Sequence, residues 1–268
     1  MVNDKLVDLR NYIKSLESVA VAFSGGADSA FLLKVAHDVL GEHAIAITLS
    51  AKTFLKDETK ETKSFCEKEG IRHFICEISP LEIKGFSENP PERCYICKKE
   101  IFSQIIRLAK ENGINNILEG SNIDDIGDYR PGLKAIKELE VLSPLQTVGL
   151  TKTEIRILSK ELGLNTWDKP SKACLASRFV YGEEITVEKL EMIEQAEQLL
   201  TDLGYVQSRV RIHGNIARIE VLEEQIERFV QKHKEVVSKK FKDLGFLYVV
   251  LDLEGYRTGS MNEVLKNK

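Results

Sequence analysis

The stretch Val19-Ala20-Val21-Ala22-Phe23-Ser24-Gly25-Gly26-Ala27-Asp28-Ser29 decides the fold. Five apolar residues end abruptly at a serine and two glycines, as a strand buried on both faces does at the end of a parallel sheet. Apolar residues then recur at Phe31, Leu32, Val35, Ala36 and Val39 with helical spacing, and Gly41 stops them. The glycines let the backbone approach a phosphate closely, with positive φ available at no Cβ penalty. Ser24 and Ser29 offer hydroxyl groups, and the helix that follows aims free N–H groups and its positive dipole end at an anion. No lysine follows the glycines at the Walker spacing, so this is a different phosphate loop.

Working outward, strands are expected at 44–49, 73–78 and 116–119, and helices at 58–69, 97–111 and 151–162. Thr151 and Glu154 have capping-box spacing at the start of the last helix. Alternating strands and helices imply right-handed crossovers and a parallel α/β sheet with helices on both faces. Ligands bind such sheets at the carboxyl ends of the strands, where Ser24-Gly25-Gly26 and Gly120-Ser121-Asn122 both fall. Beyond about residue 186 the pattern changes to a helix at 187–203, strands at 208–213 and 216–221, a helix at 223–242 and a strand at 246–251. We expect an α/β domain over 1–180 and a smaller α+β domain over 181–268.

The chain has 268 residues, 43% of them hydrophobic and 30% charged, with a net charge of −4. This composition excludes a domain-wide basic field for nucleic acid. No apolar run approaches the roughly 20 residues that span a bilayer, and Met1-Val2-Asn3-Asp4-Lys5 lacks a signal-peptide core. A soluble cytoplasmic protein is expected. Five cysteines are an odd number without export signals, so reduced thiols are the default. Cys66 and Cys76 sit in apolar contexts and read as packing residues.

Cys94, Cys97 and Cys174 lie in polar, turn-rich surroundings. In Glu92-Arg93-Cys94-Tyr95-Ile96-Cys97-Lys98 a C-x-x-C stands just before the expected helix, beside Arg93, Lys98 and Lys99, which favours thiolates. One pair supplies two of the four ligands of a zinc site. With Cys174 as a third thiol, an iron–sulfur cluster with one open iron fits better than closed zinc. A structural pair or a transient disulfide is the alternative.

Ser24 to Ser29 resembles the SGGxDS loop of the PP-loop ATP pyrophosphatases (adenine nucleotide alpha hydrolase-like), which include NAD synthetase, GMP synthetase and tRNA thiolation enzymes. Ser171 to Arg178 with Tyr181-Gly182-Glu183-Glu184-Ile185-Thr186 resembles the ACLASR…YG…IT segment of the LarE family. These are ATP-dependent sulfurtransferases that build the nickel-pincer cofactor of lactate racemase. The likeness extends to Glu92–Lys98, Gly120–Asp125, Arg209–His213, Ala217–Glu220 and Leu251–Asn262.

The resemblance implies that Ser24, Gly25, Gly26, Asp28 and Ser29 bind ATP, with Asp28 assisting Mg²⁺ or pyrophosphate. At the carboxyl end of the strand at 116–119, Asn122 is placed to meet the adenine or ribose of ATP, and Asp124 and Asp125 to reach Mg²⁺; the bland alternative for this stretch is a Ser/Asn/Asp turn that caps a helix. ATP would adenylate a carboxylate of pyridinium-3,5-biscarboxylic acid mononucleotide, and sulfur would then displace AMP. In one form of the family the equivalent of Cys174 gives up its own sulfur. In the other, three cysteines hold a [4Fe-4S] cluster carrying the sulfide. Cys94, Cys97 and Cys174 together favour the cluster form.

Arg178, Arg209, Arg211 and Arg257, with Arg218, suit a ribose phosphate and pyridine carboxylates. Arg209 and Arg211 share one face of their strand by the period of two. Ion pairing with the abundant glutamates is expected for at least two of the five. Trp167 suits either stacking on a pyridinium or adenine ring or a place in the core. A small-molecule substrate and a homo-oligomer are expected, with a C-terminal domain for recognition and assembly. The rival reading is an iron–sulfur tRNA thiolase, against which the acidic balance counts. A second rival is a nucleotide-binding regulator without turnover.

Overall fold

The computed structural model describes residues 2–51, 58–126, 131–169, 174–257 and 259–266. The chain divides into two compact units, Met1–Ile83 with Cys94–Lys172, and Lys84–Arg93 with Ala173–Lys268.

In the first unit the elements run α1 (Val2–Lys14), β1 (Val19–Ala22), α2 (Ala27–Leu40), β2 (Ala44–Ala51), α3 (Glu58–Glu69), β3 (Arg72–Ile78), α4 (Arg93–Glu111), β4 (Asn116–Leu118), α5 (Gly132–Glu138), α6 (Pro144–Thr147) and α7 (Lys152–Glu161). The strands form one parallel sheet in the order β3-β2-β1-β4, with Val19 opposite both Ala44 and Asn116. This is the PP-loop type of α/β fold. The chain winds outward from β1 through β2 to β3 and then returns to β4 on the far side of β1. The order therefore reverses between β1 and β4, which is where such sheets open a ligand crevice.

Alternation along the strands feeds two cores. Val19, Val21, Ala44 and Ala46 face a layer containing Leu9 of α1, Phe31 and Leu32 of α2, Cys66 of α3 and Leu158 of α7. Ala20, Ile45 and Ile47 face Phe102, Ile105 and Ala109 of α4 and Ile136 of α5. Side chains buried on both sides explain why β1 reads as an unbroken apolar run.

The second unit holds α8 (Val187–Asp202), β5 (Arg209–His213), β6 (Ile216–Glu220), α9 (Ile226–Lys232), α10 (Lys234–Asp243), β7 (Tyr248–Leu251) and α11 (Glu263–Lys266). β5 and β6 form an antiparallel hairpin, and β7 joins β6 in parallel. Val210, Ile212, Ala217 and Ile219 are buried, as are Leu190, Ile193, Ala196 and Leu200 of α8. The register sets Arg211 opposite Arg218 and Arg209 opposite Glu220 on the alternate positions of the hairpin. The single helix expected at 223–242 is two, because His233 leaves helical geometry at φ −123. Among the described residues, no helix is long and apolar enough to cross a membrane.

Candidate active site

The loop after β1 and the turn after β4 meet over the first turn of α2. Gly25 has φ +74, and a Cβ there would stand 3.0 Å from Thr62, so the bend requires glycine. Gly120 has no space for a side chain either: a Cβ would lie 3.1 Å from the backbone nitrogen of Ser29. The close approach is what lets the two strand ends form one site. Glu119, buried, holds the β4 turn by accepting from the N–H and hydroxyl of Ser121 and from the hydroxyl of Ser143.

A cavity of about 570 Å³ opens here, lined by Ser24, Gly26, Asp28, Ser29, Gly120 and Asp125 among others. Ile47 and, from α4, Ile101, Phe102 and Ile105 form an apolar wall suited to a flat base. The structure thus brings together most of the residues expected to bind ATP. Gly25 lines a neighbouring cavity of about 500 Å³. Asn122 turns toward the protein: its Oδ1 accepts from the N–H of Asp124 and its Nδ2 donates to Asp28 Oδ2 at 3.3 Å. Asp124 accepts from the N–H of Lys152, and Asp125 accepts from the N–H of Asn122, so both carboxylates cap backbone.

Asp28 differs. Its Oδ1 is buried with no hydrogen-bond partner among the described residues. Burial raises the Asp28 carboxyl above the usual range against the opposing pull of Lys152, and Asp125 pushes the same way as burial. A carboxylate held in this state is a ready ligand for a cation. Mg²⁺ commonly takes one or two protein carboxylates and completes its shell with phosphate oxygens and water. Asp28 fits that pattern. Among the described residues, no three His, Cys, Asp or Glu side chains form a metal cage.

Sequence reasoning missed the cations of the cavity: Lys98, Lys152, Arg156 and Lys169. Lys152 and Arg156 stand at i and i+4 on α7, and that spacing was the available signal. Arg156 donates to the carbonyl of Lys169, whose Nζ bonds Gly25 O at 2.9 Å and Glu61 at 2.5 Å. Four basic side chains facing one cavity suit a polyphosphate.

Helix α4 begins at Arg93, earlier than expected, so Cys94 lies in its first turn and Cys97 opens its second, and the pair does not precede the helix. The amide of Arg93 bonds Pro90 O, and this turn leads the chain into the helix. Cys94 is exposed and Cys97 half-buried. Helical spacing sets Cys94 with Lys98, and Cys97 with Ile101, four residues apart on neighbouring turns. Lys98 and Ile101 line the cavity of about 570 Å³. Cys174 belongs to the second unit, where it is exposed at the start of a short 3₁₀ turn, Leu175–Arg178. The expected sequence over 170–173 lies outside the described residues. Trp167 is part-exposed with Lys160 over its ring at 4.7 Å.

The arginines of the second unit separate by partner. Arg178 makes a two-pronged pair with Glu197, and Arg211 pairs with the fully buried Glu220. Arg218 bridges Glu220 and Asp252, and Arg257 contacts Asp252, Glu254 and Glu263. Among the described residues, Arg209 has no carboxylate in ion-pair contact, though Glu197 stands near enough to favour its charge. Arg209 donates to Ser208 O and stands over the Tyr256 ring. Burial, then Arg178, lowers its pKa. A half-buried guanidinium with spare donors beside other arginines suits an anion.

Comparison with known proteins agrees with the site. The NAD synthase family matches residues 1–107, the segment that carries the loop and the first three strands. An uncharacterized protein of Synechocystis sp. is 45% identical over 99% of both chains. Pyridinium-3,5-bisthiocarboxylic acid mononucleotide synthase of Lactiplantibacillus plantarum is 38% identical over 94% of this chain and 92% of its own. An uncharacterized protein of Methanocaldococcus jannaschii is 32% identical over 95% of this chain and 98% of its own. An SGGxDS loop at a sheet reversal, within a chain this similar along its length to that synthase, places the protein in the LarE family of PP-loop, ATP-using enzymes.

Proposed function

We propose that the protein is an ATP-dependent sulfurtransferase that converts a carboxylate of pyridinium-3,5-biscarboxylic acid mononucleotide to a thiocarboxylate. The observation that carries this reading is the placing of two thiols, Cys94 and Cys97, one helical turn from side chains that line the nucleotide cavity. A carboxylate resists nucleophiles until one oxygen becomes a good leaving group, and AMP is one.

In the first step a substrate carboxylate oxygen attacks the α-phosphorus of ATP, and the bond to pyrophosphate breaks. First-turn N–H groups of α2, which have no partner inside the helix, receive phosphate oxygens. Lys98, Lys152, Arg156 and Lys169 balance the charge that collects on the leaving pyrophosphate, and Asp28 would hold Mg²⁺ against it. In the second step a sulfur nucleophile attacks the acyl carbon, and AMP leaves with the bonding pair. Arg209 is assigned to the substrate's anionic groups, with Arg178, Arg211 and Arg257 shaping that surface.

Cys94, Cys97 and Cys174 are the proposed ligands of a [4Fe-4S] cluster. Among the described residues these three do not already stand as a metal-holding group, so the cluster would assemble on thiols of which two are exposed and the third half-buried. When bound, the cluster supplies the sulfur to be transferred. The second unit is assigned to substrate recognition and to assembly of a cytoplasmic homo-oligomer. The likeness to the synthase over most of the chain favours this substrate over a tRNA base.

Mass spectrometry of the whole protein before and after one turnover with ATP and substrate tests the reading. The cluster form keeps all five cysteine sulfurs, and anaerobic reconstitution gives a brown protein that bleaches in Cys94→Ala, Cys97→Ala and Cys174→Ala. A colourless protein in which Cys174 loses one sulfur overturns the cluster and keeps the sulfurtransferase. No pyrophosphate release with the carboxylate acceptor overturns both.

A further inference from the structure

A chain of hydrogen bonds enters the phosphate loop from outside the nucleotide cavity, and its proton directions follow from chemistry. Thr48, buried on β2, has its Oγ1 2.9 Å from Phe23 O and 2.8 Å from Nε2 of His73 on β3. A hydroxyl has one proton to give, and a carbonyl oxygen has none. Two oxygens at 2.9 Å need a proton between them, so Thr48 donates to Phe23. The remaining contact then requires His73 to donate its Nε2–H to Thr48.

The same peptide continues the chain on its other side. The N–H of Ser24 donates to Ser29 Oγ at 3.3 Å, and Ser29 Oγ donates to Gly26 O at 3.2 Å. With that proton used, the 3.0 Å contact between the two hydroxyls runs from Ser24 to Ser29, and Ser24 Oγ accepts from the N–H of Gly26 at 3.4 Å. Each hydroxyl donates once, and no step conflicts with another. The Phe23–Ser24 peptide is gripped at both its carbonyl and its N–H. Its plane sets the direction in which the loop leaves the strand, just before the left-handed turn at Gly25.

We infer that His73 is a positioning residue for ATP: through Thr48 it fixes the Phe23–Ser24 peptide and hence the phosphate loop. His73 is not among the described residues that line the cavity, so it acts at one remove. The inference rests on the reading of Ser24–Ser29 as a phosphate loop, and the experiment separates the two.

Mg-ATP affinity is measured calorimetrically on the full chain. Wild-type binding that is lost in Gly26→Val upholds the loop by itself. On that footing, His73→Leu and Thr48→Val each weaken ATP about tenfold, the scale of one buried hydrogen bond. The double variant is no weaker than either single one, because both break the same chain. His73→Gln and Thr48→Ser, which keep a donor in place, bind within about twofold of wild type. Nitrogen NMR of the wild-type protein shows the His73 proton on Nε2, with signals that move when ATP is added. Unchanged affinity in folded His73→Leu and Thr48→Val, losses that multiply in the double variant, or a His73 proton on Nδ1 overturns the inference and leaves the loop standing. If the leucine variant does not fold, the tautomer and the Gln and Ser variants decide. A wild type that does not bind ATP overturns both.

Discussion

Asn122 Nδ2 donates to Oδ2 of Asp28 at 3.3 Å and leaves Oδ1 of the same carboxylate buried without a partner among the described residues. Asn122 therefore orients Asp28 and does not neutralise it. The folded protein holds the Asp28 proton more tightly than the unfolded chain, chiefly through burial. For a carboxyl raised in this way, the native state is favoured below the ordinary carboxylate range, and that advantage is lost as pH rises through the folded pKa. Where the group is ionised, a bound cation adds to the pull of Lys152 and Arg156 and offsets the cost of burial.

Asp28→Asn keeps the shape and removes the charge. The nucleotide-free variant melts higher than the parent at pH 7, and the difference shrinks below the ordinary carboxylate range. Mg-ATP then no longer raises its melting temperature as it does the parent's. Melts with and without Mg-ATP across pH check this. A variant that melts lower at neutral pH contradicts the account of Asp28.

Gly25 and Gly26 predict opposite phenotypes. Gly25 has φ +74 and 3.0 Å to Thr62 at its missing Cβ, so Gly25→Ala strains the apo protein. The left-handed backbone alone costs about 1–2 kcal/mol. Gly26 has φ −76 and only Ser24 Oγ near its missing Cβ, at 3.4 Å. Gly26→Ala leaves the melting temperature nearly unchanged while weakening ATP, since the new methyl group occupies room left for phosphate. Urea melts and ATP titration of the pair check both halves.

The five thiols sort by environment. Burial pushes the Cys66 thiol up to about 12, and burial also raises Cys76, which donates to Gln104. At pH 8 neither has an appreciable thiolate fraction. Brief alkylation of metal-free protein, read by peptide mass spectrometry, labels Cys94 and Cys174 first and leaves Cys66 unmodified. Fast labelling of Cys66 contradicts its assignment to the core.

How much of this was legible depended on whether the signal was local. The strand stop at Phe23–Ser24 and the capping box of Thr151 and Glu154 are written in neighbouring residues, and both form as read. Helix α1 had the spacing of Leu6, Leu9 and Ile13 to declare it, yet went unassigned. Beyond the i, i+4 spacing of Lys152 and Arg156, the convergence of Lys98, Lys152, Arg156 and Lys169 had no local sign, because it depends on how α4, α7 and the loop after α7 close over β1 and β4. Arg209 and Arg211 were read as sharing a face. The register sets Arg209 opposite Glu220 and Arg211 opposite Arg218, yet it is Arg211 that reaches Glu220; side-chain direction decides the pair, and hydrophobic pattern does not set that.

That contrast gives the last prediction. Arg211 donates through Nε and Nη2 to Glu220, which has no exposed surface and also receives Arg218 and Ser260. Removing one partner of such a pair leaves a buried charge undercompensated, which costs about 3–5 kcal/mol. Arg211→Ala is thus strongly destabilised, and any loss of activity follows loss of fold. Around Arg209 the repulsion of Arg178 and Arg211 is set against the attraction of Glu197 and Tyr256, so Arg209→Ala removes opposing contributions of similar kind. Its stability stays within about 0.5 kcal/mol of the parent, while the KM for the mononucleotide rises with little change in the KM for ATP. Denaturant melts and steady-state kinetics of both variants separate the roles. A stable Arg211→Ala protein contradicts the account of the buried pair, and an Arg209→Ala enzyme with unaltered substrate KM removes Arg209 from the substrate site.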